Sequence, residues 1–222
     1  MIDLTFDENL LNHIRANLER FAKRKQAAKG LKKAAVAITI VDIRQDPNIH
    51  GIPFSESCTG HAAIILTRRA SNLRKHTGQW ALPGGHMEAG ESPEETVLRE
   101  LEEEVGLTLD IDRVVGSLDD YSTRSGFIIE PIVVWGGTDI TLKANPDEVA
   151  SIHRIPLAEF MRDDAPMFQE IPESEHPVLF MPIGNSSIAA PTAAMIYQFR
   201  EVALLGNDIR VAHYEQPYFA WQ

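Results

Sequence analysis

The clearest periodic pattern in the chain lies between residues 92 and 107. Apolar residues recur there at the spacing of one helix face, at Val97, Leu98, Leu101 and Val105. Ser92 precedes Pro93 and stands three residues before Glu95, which is the arrangement of a capping box with proline in the first helical position. Gly106 supplies a C-terminal stop. The pattern therefore predicts a capped helix that begins at Pro93.

A second helical pattern covers residues 8 to 33. Its apolar positions have helical spacing and are followed by a basic stretch: Leu10, Leu11, Ile14, Leu18 and Phe21, then Lys23, Arg24, Lys25, Lys29, Lys32 and Lys33. We predict that residues 1–33 form a helical extension packed on a domain of residues 34–222. A basic amphipathic segment can also bind a membrane surface or a polyanion, and this alternative stays open.

The remaining apolar runs are short and bounded by turn residues. They predict strands at residues 34–41, 61–69, 114–118, 127–135, 140–142, 176–181 and 209–213, and a further helix at 191–205 closed by Gly206. Prolines, glycines and polar residues between 42 and 60 predict a loop. This order of strands and helices is compatible with an α/β fold but does not by itself select it.

The composition is that of a globular protein with one substantial core. Of the 222 residues, 44% are hydrophobic and 24% are charged. A formal net charge of -11 argues against a nucleic-acid-binding protein, because affinity for a phosphate backbone depends on lysine and arginine. A small anionic substrate remains compatible with this charge where metal ions neutralise it locally.

The sequence carries few signs of targeting. Cys58 is its single cysteine, so no internal disulfide forms, which is compatible with a reducing compartment. We find no signal peptide and no run of about 18 apolar residues, so we expect a cytoplasmic protein without integral membrane association. The sequence leaves open whether the protein is a monomer or a homodimer.

The predicted helix carries three carboxylates on one arc, at Glu100, Glu103 and Glu104. Like charges at these spacings repel by about 0.2–0.5 kcal/mol per pair, and no lysine lies among them. A solvated acidic face is the ordinary explanation of such a cluster. Oxygen ligands grouped on a rigid element also suit Mg²⁺ or Mn²⁺, which bind a few carboxylates and take substrate phosphate oxygens as further ligands.

The spacing of these residues resembles the motif of the Nudix hydrolase family. A glycine at 85 is followed after five residues by Glu91, and after seven more by Arg99, Glu100, Leu101, Glu103, Glu104, Gly106 and Leu107 in the family's order. The resemblance covers roughly residues 34–205. It implies a Nudix-type α/β/α sandwich with a mixed β-sheet, and a metal-dependent enzyme that hydrolyses the diphosphate of a nucleoside diphosphate derivative.

The same resemblance implies roles for individual residues. Glu100, Glu103 and Glu104 become the candidate catalytic residues; Glu100 and Glu104 are the expected metal ligands, with Glu103 sharing or orienting and the carbonyl of Gly84 or Gly85 assisting. Glu91 and Arg99 are expected to hold the loop against the helix by an ion pair, with Gly85 in the turn. Glu148 is a candidate distal base or ligand, although a turn or cap role fits it equally. The proton acceptor is left open among Glu103, Glu104 and Glu148.

We call the motif of residues 85–107 the box. The residues that lead into it, 65–85, resemble the additional signature of the coenzyme A diphosphatase branch. The matching positions are Leu66, Thr67, Arg69, Arg74, Gly78, Pro83, Gly84 and Gly85, whereas Ala70 and Leu82 stand where serine and phenylalanine are usual. Arg68, Arg69 and Arg74 form a local basic group, and the planar arginine fork suits phosphate. Pairing of Arg69 or Arg74 with a box carboxylate is the alternative.

The branch implies a small-molecule nucleotide substrate. For coenzyme A or acyl-CoA, the products are 3′,5′-ADP and (acyl-)4′-phosphopantetheine. Two other functions stay open: hydrolysis of ADP-ribose or a nucleotide sugar, and a non-catalytic Nudix module that binds a nucleotide.

Overall fold

The computed structural model describes residues 2–27, 30–43, 48–52, 59–70 and 78–217. The helices are α1 (Glu8–Arg20), α2 (Pro93–Val105), α3 (Leu157–Phe160) and α4 (Thr192–Phe199), which a π-helical turn (Arg200–Leu204) continues. The strands of the main sheet are β1 (Lys32–Asp42), β2 (Ala62–Arg69), β3 (Trp80–Ala81), β4 (Gly84–His86), β5 (Val114–Ser117), β6 (Tyr121–Ser122), β7 (Phe127–Gly137) and β8 (Val149–Pro156). A second sheet contains β9 (Met167–Gln169), β10 (Val178–Ile183) and β11 (Ser186–Ala189).

Strand β1 lies at the centre of the main sheet. It runs parallel to β7 and antiparallel to β2, so the sheet is mixed. Successive residues of β1 face opposite sides, because side chains alternate along a strand. Ala35 and Ala37 pack beneath α2, whereas Ile38 and Ile40 pack into the larger cluster that contains α1 and α4. The predicted α/β fold with a mixed sheet is confirmed.

The sheet splits where β1 and β2 diverge. Strand β2 pairs with β1 through residues 62–64 and with β3 through residues 67–68 on the same edge, since β8 occupies its other edge. Strand β4 pairs with β1 at residues 34–36. The segment from β3 to β4 is therefore inserted between β1 and β2, which brings a glycine turn to the middle of the sheet.

The N-terminal helix is shorter than the sequence predicts. Helix α1 ends at Arg20, and the prediction of helix through residue 33 is wrong. The following segment instead bonds to two buried aspartates: the amide of Arg24 donates to Asp119 Oδ1 at 2.7 Å and the amide of Gln26 donates to Asp120 Oδ2 at 2.9 Å. These long-range bonds replace the helical ones.

Two predicted strands are also wrong. Residues 140–142 belong to an irregular segment that runs past the end of α2, and residues 209–213 form a turn in which Val211 packs against Tyr121. Conversely, β8 was not predicted as a strand. The helix predicted at 191–205 is α-helical through Phe199 and then widens into the π-helical turn.

Other predictions fall outside or at the edge of what the structure describes. Cys58 and much of the loop predicted at 42–60 lie outside the described residues. No helix in the described ranges has both the length and the apolar character needed to cross a bilayer.

Candidate active site

Helix α2 begins and ends as its sequence predicts. Ser92 Oγ accepts from the amide of Glu95 at 3.2 Å, and the Glu95 carboxylate accepts from the amide of Ser92 at 2.8 Å, which completes the capping box. Gly106 closes the helix in the left-handed conformation, with φ +68°. These caps fix the register of the carboxylates along the helix.

Three carboxylates converge beside this helix. Oxygens of Glu100, Glu104 and Glu148 all lie within 4.8 Å of one another. Glu100 and Glu104 are only 8% and 5% exposed, whereas Glu148 is exposed. We call this group the carboxylate triad. Its third member, Glu148, lies outside the motif of residues 85–107 and is the residue predicted as a distal base or ligand.

The glycine turn packs directly against the triad. The amide of Gly84 donates to Glu104 Oε2 at 3.2 Å. A Cβ atom at Gly85 would lie 2.2 Å from Glu100 Oε1, and one at Gly84 would lie 2.3 Å from the carbonyl oxygen of Ala35. Glycine is required at Gly84, where φ is +154° and a Cβ would meet the backbone of the central strand, whereas a Cβ at Gly85 would displace the Glu100 carboxylate.

Glu148 reaches the triad because a segment of backbone bonds to the end of α2. The amide of Lys143 donates to the carbonyl of Val105 at 2.9 Å, and the amide of Asn145 donates to the carbonyl of Glu104 at 3.0 Å. The carbonyl of Glu148 then accepts from the amide of Ala70 at 2.9 Å. We call residues 143–148 the docking segment. It satisfies helix carbonyls that would otherwise lack partners and sets Glu148 beside Glu104.

Burial and mutual repulsion shift the titration of the buried carboxylates. Burial, together with the charges of Glu100 and Glu148, raises the pKa of Glu104 to about 8, although the hydrogen bond from the Gly84 amide opposes the shift. Burial also raises the pKa of Glu100, although Arg99 partly opposes this. Within the described residues, no lysine or arginine nitrogen lies within 4.0 Å of the Glu104 or Glu148 carboxylate.

Arg99 joins the loop to the helix. Its guanidinium donates to Glu91 Oε1 at 2.8 Å, to Glu100 Oε1 at 2.9 Å and to the carbonyl of His86 at 3.1 Å. The hydrogen bonds from Arg99 lower the pKa of Glu91 to about 2 and raise that of Arg99 itself. Arg99 also contacts Glu103 at 3.1 Å, and the Glu103 side chain is 54% exposed. Glu103 therefore forms an ion pair with Arg99 and is not a member of the triad.

The donor set suits a divalent cation. Two buried carboxylates and an exposed one supply hard oxygen ligands, and the glycine turn leaves their oxygens free of any intervening side chain. After burial, repulsion by the Glu100 and Glu148 carboxylates is a further cause of the raised pKa of Glu104. A bound cation would remove that repulsion. Glu100, Glu104 and Glu148 are thus the side chains that could hold Mg²⁺ or Mn²⁺.

Two arginines at the end of β2 also line the site. Arg69 has no ion pair with a box carboxylate among the described residues, and its Nε is buried without a hydrogen-bond partner. Arg68 lies over the ring of Trp80, with 3.8 Å from its guanidinium carbon to the ring centroid. Arg74 lies outside the described residues.

A cleft of about 680 Å³ connects the triad, the glycine turn and both arginines. Its other walls come from strands and from the C-terminal part of the chain: Val36, Trp80, Phe127, Ile129, Ile188, Ala189, Thr192, Met195 and Gln216. Sequence reasoning missed these residues. Their local signal is that of core or strand positions, and they reach the site only through long-range packing of the strands of the main sheet with β11 and α4.

A NUDIX domain family model matches residues 51–173. The protein described as "Uncharacterized Nudix hydrolase NudL" of Yersinia enterocolitica is 42% identical over 106 residues, which cover 47% of this chain and 54% of that protein. A Yersinia pestis protein of the same description is 41% identical over 103 residues, or 46% of this chain and 52% of the relative. Among solved structures, a MutT/nudix family protein from Enterococcus faecalis aligns with a TM-score of 0.46 at 14% identity, covering 83% of this chain and 60% of that one.

The chain spans about half the length of the curated relatives it matches. The family model, in contrast, covers more than half of this chain and includes the glycine turn, helix α2 and Glu148. The chain therefore belongs to the Nudix family.

Proposed function

We propose that this protein is a divalent-metal-dependent diphosphatase that hydrolyses coenzyme A or an acyl-CoA to 3′,5′-ADP and (acyl-)4′-phosphopantetheine. The observation that carries the proposal is the carboxylate triad, set against a glycine turn in a cleft that also holds two arginines. The relatives' description as Nudix hydrolases supports hydrolysis as the reaction. It names no substrate.

Glu100, Glu104 and Glu148 would hold the metal, which we propose is Mg²⁺ or Mn²⁺. When bound, such an ion supplies Lewis-acid polarisation of the diphosphate oxygens and neutralises their charge. The amide of Gly84 and the guanidinium of Arg99 keep the two helix carboxylates oriented toward the cleft. The proton of the attacking water would pass to a carboxylate, for which Glu103, Glu104 and Glu148 are the candidates.

Arg69 is the side chain best suited to the diphosphate itself. It lines the same cleft as the triad, and its charge acts on Glu104. Its guanidinium has no carboxylate within 4.0 Å in the described part of the chain, so it is available to an anionic ligand. Negative charge that develops on the phosphoryl oxygens during substitution at phosphorus would be stabilised there.

The preference for coenzyme A over ADP-ribose or a nucleotide sugar rests on the approach to the box. The segment that resembles the coenzyme A diphosphatase signature contains β3 and ends at the glycine turn. Residues 68–69 and 78–82 of this segment line the cleft, where they can contact the part of the substrate that differs among these compounds.

The test is product analysis with purified protein, Mg²⁺ or Mn²⁺, and an equal mixture of coenzyme A, ADP-ribose, NADH and diadenosine polyphosphates. We expect 3′,5′-ADP to appear first. Glu104→Gln should abolish this product, whereas the control Glu102→Gln, an exposed residue of the same helix, should leave it unchanged. Faster consumption of another compound would refute the substrate, and absence of any metal-dependent product would refute the enzyme and favour a nucleotide-binding module.

A further inference from the structure

We propose that Arg68, held in place by Trp80, binds a phosphate monoester that the substrate carries in addition to its diphosphate. Arg68 would then bind the phosphate monoester, whereas its neighbour Arg69 would bind the diphosphate. The inference rests on the proposed function for the identity of the monoester, which in coenzyme A is the 3′-phosphate. The arrangement of the two side chains is independent of it.

The two arginines belong to opposite sides of the sheet. Along β2, Ile65 packs beneath α2, whereas Leu66 packs into the cluster that contains α1 and α4. Trp80, on which Arg68 lies, belongs to that second cluster, while the charge of Arg69 acts on Glu104 of α2. A register shift between the arginines marks the same point of the strand. The cleft includes both, because the sheet is split there.

Arg68 is held in one orientation by two contacts. Its guanidinium carbon lies 3.8 Å from the centroid of the indole ring, and its Nη1 donates to the carbonyl of Gly78 at 2.7 Å. Trp80 is itself fixed by an edge contact with the ring of His153, 5.1 Å between centroids. A guanidinium has five N–H donors, so the hydrogen bond to Gly78 leaves others for a ligand. An immobilised arginine also loses less conformational entropy on binding.

The charge of Arg68 is not neutralised by the part of the protein that the structure describes. No carboxylate in that part lies within 4.0 Å of its nitrogens. Burial against the cleft wall lowers the pKa of Arg68, which reflects the loss of water around the cation. A phosphate monoester supplies two negative charges and several acceptor oxygens, and it would replace that lost hydration.

Trp80 acts as a positioning residue in this proposal. It contributes the aromatic face on which Arg68 lies, and a phenylalanine can supply a similar face, although tryptophan gives the strongest contact. A leucine at the same position fills part of the volume but offers no such face. The proposal therefore predicts different behaviour for Trp80→Phe and Trp80→Leu.

The test measures binding of 3′,5′-ADP and of 5′-AMP by calorimetry with the full chain and Mg²⁺. The two nucleotides differ only in the 3′-phosphate, which 5′-AMP lacks. We expect the wild-type protein to bind 3′,5′-ADP about ten- to a hundredfold more tightly, which is the range for a charge-assisted contact. Arg68→Met, which keeps the aliphatic stem, should reduce this ratio to near one while AMP binding persists. Arg69→Met should weaken both nucleotides and preserve the ratio.

The Trp80 variants separate positioning from folding. Trp80→Phe should retain most of the ratio, and Trp80→Leu should lose it, with AMP affinity as the measure of an intact site. In hydrolysis, Trp80→Leu should raise the KM for coenzyme A but not the KM for its 3′-dephospho form. An unchanged ratio in Arg68→Met, or a ratio of one in the wild type, would overturn the proposal. Failure to hydrolyse coenzyme A with the binding ratio intact would instead remove the proposed function and leave the Arg68 site standing.

Discussion

Replacement of Glu104 by glutamine should stabilise the metal-free protein at neutral and alkaline pH. Glu104 is buried beside two other carboxylates, and its pKa is raised from 4.5 to about 8. A carboxylate with a raised pKa binds its proton more tightly in the folded protein than in the unfolded chain. The stability of the wild type therefore falls as the pH increases from about 4.5 to about 8. Glutamine has no such charge and can still accept from the Gly84 amide.

The size of the effect follows from the two pKa values of Glu104 and the linkage relation. The gap in unfolding free energy between Glu104→Gln and wild type should be about 1 kcal/mol at pH 5, about 3 kcal/mol at pH 7 and about 4 kcal/mol at pH 8. For a chain of this length, 3 kcal/mol corresponds to an increase in Tm of about 6–12 °C.

The measurement is urea denaturation of both proteins in EDTA at pH 5, 7 and 8. The control is Glu102→Gln, which removes an exposed charge of the same helix and should change the unfolding free energy by less than about 0.5 kcal/mol at each pH. Added Mn²⁺ should stabilise the wild type more than Glu104→Gln, because the variant lacks one of the carboxylate ligands. A stability gap that stays constant with pH, or a variant less stable than wild type at pH 8 in EDTA, would refute the electrostatic reasoning.

Two further predictions concern the glycine turn and a buried ion pair. Gly85→Ala should weaken Mn²⁺ binding and metal-dependent hydrolysis by at least about tenfold, measured by titration and turnover, because its Cβ would lie 2.2 Å from Glu100 Oε1; wild-type affinity would contradict the close packing. Asp119→Ala should cost about 3–5 kcal/mol, or about 6–20 °C in Tm, because it leaves Arg210, which donates to Asp119 at 2.8 and 3.0 Å, without its buried partner. The exposed control Asp112→Ala should change Tm little, and equal effects of the two aspartate variants would contradict the assigned role.

The sequence predicted the box helix accurately because its determinants are local. The capping box, the proline at the first turn and the closing glycine act within the helix itself. The two helix carboxylates of the triad follow from the same periodicity. Glu103, one residue before Glu104, shares the predicted arc but contacts Arg99, and this choice between neighbours depends on where the loop places the arginine.

The parts that the sequence did not predict depend on contacts between distant residues. The basic segment after Arg20 has helical periodicity, yet it leaves the helix because Asp119 and Asp120 accept its amides. Residues 140–142, just before the docking segment, resemble a short strand, but the amides that follow at Lys143 and Asn145 bond to the end of α2. The cleft wall from β11 and α4 likewise has no local signature. Tertiary hydrogen bonds and packing override propensity in each case.

The docking segment is the part of the protein that should loosen first when a bound cation is removed. A cation bound by both Glu104 and Glu148 would act as a clip between helix α2 and the turn just before β8, and such clips stabilise a fold by restricting the unfolded ensemble. Chelation would remove the clip and leave the few amide bonds of residues 143–148 to hold that corner. Amide exchange should therefore accelerate first at Lys143 and Asn145, well below the conditions that unfold the central sheet.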